Sequence, residues 1–484
     1  MLKVFAIKVA AWTVRALAVL AGLFASRRGD IVLISCQGDK PSQDILDLAA
    51  ALKALYNASP ANKESKENKA EQGSGISIRI IAGRMRRSPA GAIVFICKLF
   101  SMLRAIAGAR VVVLDAYCMA VSIPKKRPGQ TVVQLWHAPE AIKKFSLQIV
   151  DTPAGYDSKT AEVLCMHRNY DYILCPADAT RPFFSEAFGY PESAAVKSGY
   201  PESAFVKLGL PMLDRLGLMK KPAPGVPESP ERVAARTLIL ERYPVLTKPH
   251  IIARSESDEA VHKDEMDCFG TASLAMTGGD ISTGGWGRPL TVVYAPTFRD
   301  GASVDAEGLV RAFSEMDSAA LVLKLHPLDI KATGIPDALT INQVVMNDAE
   351  FPLADWYSVA DVVITDYSGV AVEAAAAGIA SYYYIYDIDD YKARRGLNVD
   401  LRDEAVGKYA FTDADTLVRQ VISDFAVGEN GGDSAGNGRC SYDYEALAAF
   451  AGKYLEVPLF GNTERLAGFI AELGHYKKLI QYKR

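Results

Sequence analysis

The chain reads as an α/β protein of two similar parallel-sheet domains with a cleft between them, preceded by an amphipathic N-terminal helix. From Asp30 onward, short apolar runs of buried-strand type alternate with stretches of helical periodicity, and the alternation starts again at Leu290. Between the halves lie a proline-rich stretch at 220–230 and a Gly/Ser/Thr/Asp-rich stretch at 255–287, read as a linker and a surface insertion. At 484 residues and 49% hydrophobic, the chain can bury more than one core, which excludes global disorder. Its 54 Lys+Arg against 57 Asp+Glu give a charge of −3, which argues against a nucleic-acid-coating protein. Seven cysteines, an odd number without a CxxC pair, fit reduced thiols better than a disulfide framework or a metal knuckle.

In the first half, IVLIS (31–35) is a strand and 42–56 a helix behind a serine cap. A polar loop at 57–75 leads to strand ISIRII (76–81), a helix around 92–107, and strands VVVLD (111–115), VVQLW (132–136) and YILC (172–175). The second half offers LTVVYAP (290–296), LVLKLHP (321–327), VITDYS (363–368) and SYYYIYD (381–387), with a helix from Val370. A ten-residue tandem duplication occupies 189–208 and is read as a local insertion without a function. A Gly-rich gap at 428–438 precedes the last helices.

Residues 1–28 carry five basic residues, no acid and many apolar side chains. Their longest charge-free run, 16–26, is far short of the ~20 residues of a spanning helix. Lys8 and Arg15 share one helix face, and Trp12 suits a headgroup layer, so the segment is expected to lie on an anionic membrane surface. A cleaved signal peptide and an ordinary packing helix are the rival readings.

Two of the six histidines directly follow buried-strand patterns: His137 ends VVQLWH and His326 ends LVLKLHP. Ligands of open α/β sheets bind beyond the carboxyl ends of the strands, where such a histidine can serve as a base or bind phosphate. A hydrogen-bonded strand cap is the plainer alternative for either one alone. VITDYSG delivers Asp366 and Ser368 to a helix start, a place for an anion or merely a cap. Glu373 could reach a ribose or simply offset the helix dipole. Thr297 and Arg299 follow a strand in YAPTFRD, where an arginine fork suits phosphate oxygens and a surface ion pair with Asp300 is the alternative. Arg395 precedes a glycine in YKARRGL, where a solvated basic turn is the alternative. DIDD (387–390) is a weak metal candidate, and no Walker, GxGxxG, HExxH or GxSxG pattern calls for a metal or a cofactor.

The ordered set QLWHAPEAIKKF (134–145), MHRNYDYIL (166–174), GLPMLDRL (209–216), YAPTFRD (294–300), LKLHP (323–327), ITDYSG (364–369) and YDIDDYKARRG (386–396) resembles the CDP-glycerol glycerophosphotransferase family. That resemblance implies a GT-B fold of two facing Rossmann-like domains and a part in teichoic-acid-type polymer synthesis. His137 is then the catalytic base, His326 a phosphate ligand, and Arg299, Ser368 and Arg395 lie near the donor. Three positions depart from the family pattern: Ala138-Pro139-Glu140 after the histidine, Met212 where an arginine is usual, and Gly369 in place of a second serine.

The function expected is transfer of glycerol phosphate from CDP-glycerol to a lipid-linked polyol-phosphate acceptor, with release of CMP, at the cytoplasmic face of the membrane. No cofactor and no nucleic acid take part. A CDP-ribitol enzyme, a GT-B glycosyltransferase and a non-catalytic polyanion binder at the membrane surface are the alternatives. The expected division is a membrane-interface helix at 1–28, an acceptor-side domain at 29–219, a donor-nucleotide domain at 220–455 and terminal helices at 456–484.

Overall fold

Six apolar runs of the first half line up as parallel strands. They are β1 (Asp30–Ser35), β2 (Ile78–Ala82), β3 (Ala109–Leu114), β4 (Thr131–Gln134), β5 (Tyr172–Leu174) and β6 (Phe205–Val206), in the order β2-β1-β3-β4-β5-β6. The computed structural model describes residues 2–25, 30–58, 77–83, 89–139, 141–190, 204–247, 288–299, 304–314, 316, 319–325, 340–341, 344–345, 350–425 and 440–474. His326, Glu140, the insertion at 255–287, the gap at 428–438 and most of the 57–75 loop and the duplication lie outside the described residues.

A parallel sheet is buried on both faces, and its strands are accordingly apolar at successive positions. Val111, Val112 and Val113 are each 0% exposed. Val112 and Leu114 face a core that includes Leu99, Met102 and Leu103 of the helix Pro89–Gly108. Val111 and Val113 face the opposite core, made with Ile45, Leu48 and Leu52 of the helix Gln43–Ala58.

The second sheet holds β7 (Leu290–Tyr294), β8 (Ala319–Leu323), β9 (Thr340–Ile341), β10 (Val344–Val345), β11 (Val362–Thr365), β12 (Ala380–Tyr384) and β13 (Ala410–Phe411). Their order is β13-β12-β11-β7-β8-β10-β9, with only β9 antiparallel. Strand order reverses beside β1 in the first sheet and beside β7 in the second. Crevices for ligands open at such switch points, beyond the strand carboxyl ends. Both domains are therefore Rossmann-like, as expected. β6, β9, β10 and β13 escaped the sequence reading because two residues carry no period.

The domains share elements. The helix Pro211–Met219 sends Leu213, Leu216 and Met219 into the second domain's core. The helix Asn462–Leu473 returns to the first, where Leu466, Ala467 and Ile470 pack with Ile31 and Leu33 of β1. Asp214 joins the two helices, accepting hydrogen bonds from the Asn462 and Thr463 amides (both 2.8 Å) and the Thr463 hydroxyl (2.6 Å). A Cβ on Gly209 would lie 2.2 Å from Asn462 Oδ1, so a larger residue there would have to push the Asn462 side chain out of this seam.

The N-terminal helix, Leu2–Leu23, buries Ala11, Val14 and Ala21 with the Pro89–Gly108 helix and β-sheet core. Its outer side is apolar: Phe5, Trp12 and Leu23 are 66%, 68% and 77% exposed. By length and composition alone it is long and apolar enough to cross a membrane.

Candidate active site

β1 and β3 flank the switch point of the first sheet, and their carboxyl ends present Ser35 and Asp115. The Asp115 carboxylate is 1% exposed. It accepts hydrogen bonds from the Ser35 hydroxyl (2.6 Å), the Ser42 hydroxyl (2.8 Å) and the Cys36 amide (3.0 Å). With its side chain so held, the Asp115 backbone carbonyl lies 3.1 Å from His137 Nδ1. A carbonyl can only accept, so Nδ1 carries the proton and Nε2 keeps the lone pair.

Solvent still reaches the His137 ring. Protein atoms nonetheless crowd it, and burial pushes its pKa below the ordinary histidine value. The hydrogen bond to Asp115 and the carboxylates of Asp115 and Asp44 pull the other way, while Lys143 adds to the lowering.

The backbone leading to His137 is strained. Trp136 has φ of 61°, a left-handed conformation that costs a bulky residue about 1–3 kcal/mol. Its amide donates to Gln134 Oε1 at 2.9 Å, and its indole packs on Phe145 and Phe188. The described non-glycine residues with positive φ are Trp136, Ser146, Asp151, Cys165, His167 and Asn169, all within one segment after β4. Beneath that segment Ser146 and His167 Nε2 hydrogen-bond, and His167 Nδ1 lies 3.1 Å from the Tyr170 hydroxyl. Burial lowers the His167 pKa to about 3, so this ring stays neutral and serves as a prop.

In the second domain Thr297, Arg299 and Asp366 converge at the switch point beside β7. The Thr297 amide donates to Asp366 Oδ1 at 2.8 Å, and both residues are buried. The Thr297 hydroxyl is buried without a hydrogen-bond partner among the described residues.

Arg299 is placed differently from the sequence expectation of a fork aimed at donor phosphate. Its Nε and Nη2 donate to Asp387 at 2.8 and 3.0 Å. Nη1 donates to the Thr297 carbonyl at 2.9 Å and lies 2.8 Å from Asp366 Oδ2. The rings of Tyr391, Tyr367 and Tyr386 surround its guanidinium at 4.9, 5.3 and 5.9 Å. Burial works against the charge, yet Asp366 and Asp387 outweigh it and hold the Arg299 pKa above the ordinary arginine value. This arginine ties two strand-end loops together, and Asp387 of the DIDD run is its partner.

Ser368 is half-buried, and its hydroxyl accepts from the Val370 amide at 3.4 Å. Glu373 is half-buried in the first turn of the helix Val370–Ala376. Arg395 donates through Nε to the Lys144 carbonyl at 3.0 Å, which brings it against the loop that follows His137. The structure thus joins His137 and Arg395 through one loop contact, and Thr297, Arg299 and Asp366 in one cluster. No group of three or more His, Cys, Asp or Glu able to hold a metal occurs among the described residues.

Asp115 and Gln134 were not singled out from sequence. The available signal was the aspartate closing VVVLD at a strand end.

The sequence profile described as CDP-Glycerol:Poly(glycerophosphate) glycerophosphotransferase matches residues 19–207 and 286–431. A teichoic acid ribitol-phosphate primase of Bacillus spizizenii is 25% identical over 415 residues, covering 83% of this chain and 85% of the relative. A teichoic acid glycerol-phosphate primase of Bacillus subtilis is 21% identical, over 75% of this chain and 74% of its own length. Among solved structures, the wall teichoic acid polymerase TagF superposes with a TM-score of 0.55 at 16% identity, covering 100% of both chains. That likeness shows the fold.

Proposed function

Because the chain belongs to the CDP-glycerol:poly(glycerophosphate) glycerophosphotransferase family, we propose that it transfers glycerol phosphate from CDP-glycerol to a hydroxyl of a lipid-linked acceptor, releasing CMP. The observation that carries this reading is the fixed tautomer of His137. Nδ1–H is engaged by the Asp115 carbonyl, so Nε2 is the basic atom in a crevice that solvent reaches.

The acceptor hydroxyl gives its proton to Nε2 as its oxygen attacks the phosphorus bearing glycerol. The bond to the CMP oxygen breaks, and negative charge moves onto CMP. Catalysis of this kind is mostly positioning and electrostatic stabilisation. Ser368, the Thr297 hydroxyl and Arg395 are the groups assigned to the donor, with His326 as a phosphate ligand. Arg299 and Asp366 hold the donor-side loops in shape.

Ribitol phosphate is the second reading, favoured by the ribitol-phosphate primase that matches 83% of the chain. CMP release from CDP-glycerol and CDP-ribitol, each with a lipid-linked acceptor, separates the two. Faster release from CDP-glycerol is expected, preference for CDP-ribitol replaces the first reading with the second, and release from neither removes both.

The N-terminal helix is assigned to peripheral attachment at the cytoplasmic membrane face, where a soluble CDP-polyol meets a lipid-linked acceptor. Support comes from its exposed apolar side and from the absence of any acid before Asp30. Replacing Phe5, Trp12 and Leu23 together with serine should release the protein from anionic phospholipid vesicles. High salt should weaken binding of the unaltered chain without abolishing it. Resistance of that chain to alkaline carbonate extraction would instead mark a spanning helix.

A further inference from the structure

We propose that Asn398 is a positioning residue for His137, fixing the loop behind the base to the opposite domain. After β4 and His137 the chain crosses to the second domain and is stitched there along its length. Lys143 and Leu397 form an antiparallel bridge. The Lys144 amide donates to the Gly396 carbonyl at 3.1 Å, and the Asn398 and Val399 amides donate to the Ile142 carbonyl at 2.8 and 3.1 Å. The side chain of Asn398 completes the seam. Its Nδ2 donates to the carbonyls of Ala141 (2.9 Å) and Lys143 (3.3 Å) and to Gln148 Oε1 (3.1 Å). Its Oδ1 accepts from Gln148 Nε2 at 2.7 Å, giving a reciprocal amide pair.

Packing repeats the pattern. Ala141 and Phe145 are buried in the first domain's core, whereas Ile142, between them, is buried in the core of the second. Gly396 has φ of 86°, and a Cβ there would lie 2.8 Å from Lys144 Cδ, so the approach of the two segments needs a glycine. The loop therefore belongs to both domains at once, and His137 lies four residues from its anchored start. Arg395, assigned to the donor, is part of the same seam. The base is thus oriented by Asp115 from its own domain while the loop behind it is held by the donor domain, a conclusion about catalysis that rests on the function proposed above.

The test compares the full chain with Asn398→Ala and with Asn398→Asp, which keeps the shape but removes both N–H donors. In CMP release, kcat should fall about 10–100-fold in both, since a misplacement near 1 Å costs on that order. The denaturation midpoint should fall by the bonds lost, with both variants still folded under assay conditions, and donor affinity by calorimetry should fall far less than kcat. A second readout needs no substrate: the imidazole titration of His137, followed by NMR on histidine-labelled protein. Asp115 and Asp44, which act on that ring from the first domain, are untouched. Asn398→Asp adds a carboxylate beside the loop, so this readout is taken on Asn398→Ala. Release of the loop should thin the protein packing around the ring and carry Lys143 away, and both move the His137 pKa up toward the ordinary histidine value. An unchanged imidazole titration, or a loss of kcat that follows only the loss of folded protein, would overturn the assignment. If the unaltered protein releases CMP from neither CDP-polyol, the functional reading fails, and the titration alone decides whether Asn398 positions His137.

Discussion

His137→Ala should lower CMP release by about 10²–10⁴-fold, the usual contribution of a positioned general base. Calorimetry should find donor binding nearly intact, because the base acts on the acceptor proton in the transition state. Its pH dependence follows from the protein atoms crowded around the ring. Only the neutral imidazole accepts a proton, so the rate rises with pH through the folded-state pKa and is level above it. That pKa is lowered, so the acid limb of the rate should lie below the ordinary histidine value of about 6.5. Undiminished turnover in His137→Ala would exclude this residue as the base, and a limb at or above that value would contradict the lowered pKa.

Arg299→Ala should act chiefly on stability. Asp366, 0% exposed, and Asp387 would both lose their cation. Removing one partner from a buried pair typically costs about 3–5 kcal/mol, because the stranded charge stays desolvated. Arg299→Lys should recover only part, since an ammonium cannot bond both Asp387 oxygens as the fork does. Denaturant unfolding of both variants beside donor calorimetry is the measurement. A stable Arg299→Ala protein that has lost donor affinity would return this side chain to the phosphate.

Much of the fold was legible because parallel strands announce themselves by continuous apolar runs, as VVVL and LTVVY do. The histidine at the end of β4 was legible for a related reason, since strand ends at a switch point are where ligands sit. What surrounds His137 was not. Its orientation comes from a backbone carbonyl of Asp115, and a carbonyl is common to every residue and leaves no trace in a sequence. Arg299 shows the converse: residue type and place suggested phosphate, but charge balance is decided by partners as distant as Asp387. SYYYIYD reads as a strand, and nothing in the sequence marks Tyr386, or Tyr391 beyond it, as part of the wall around that guanidinium. Likewise Asn398 draws its meaning from Ala141, Lys143 and Gln148, far away in the chain.

The return of the helix Asn462–Leu473 to the first sheet has a consequence for how the chain is made. β1 to β6 leave the ribosome early, but one face of their sheet is covered in part by Leu466, Ala467 and Ile470. At about 5–20 residues per second, synthesis of the intervening second domain takes on the order of 10–50 s. Through that interval the nascent first domain presents an apolar stripe beside Ile31 and Leu33 with its native cover still to come. The early half thus completes its core only when the last helix docks, after the second domain has been made.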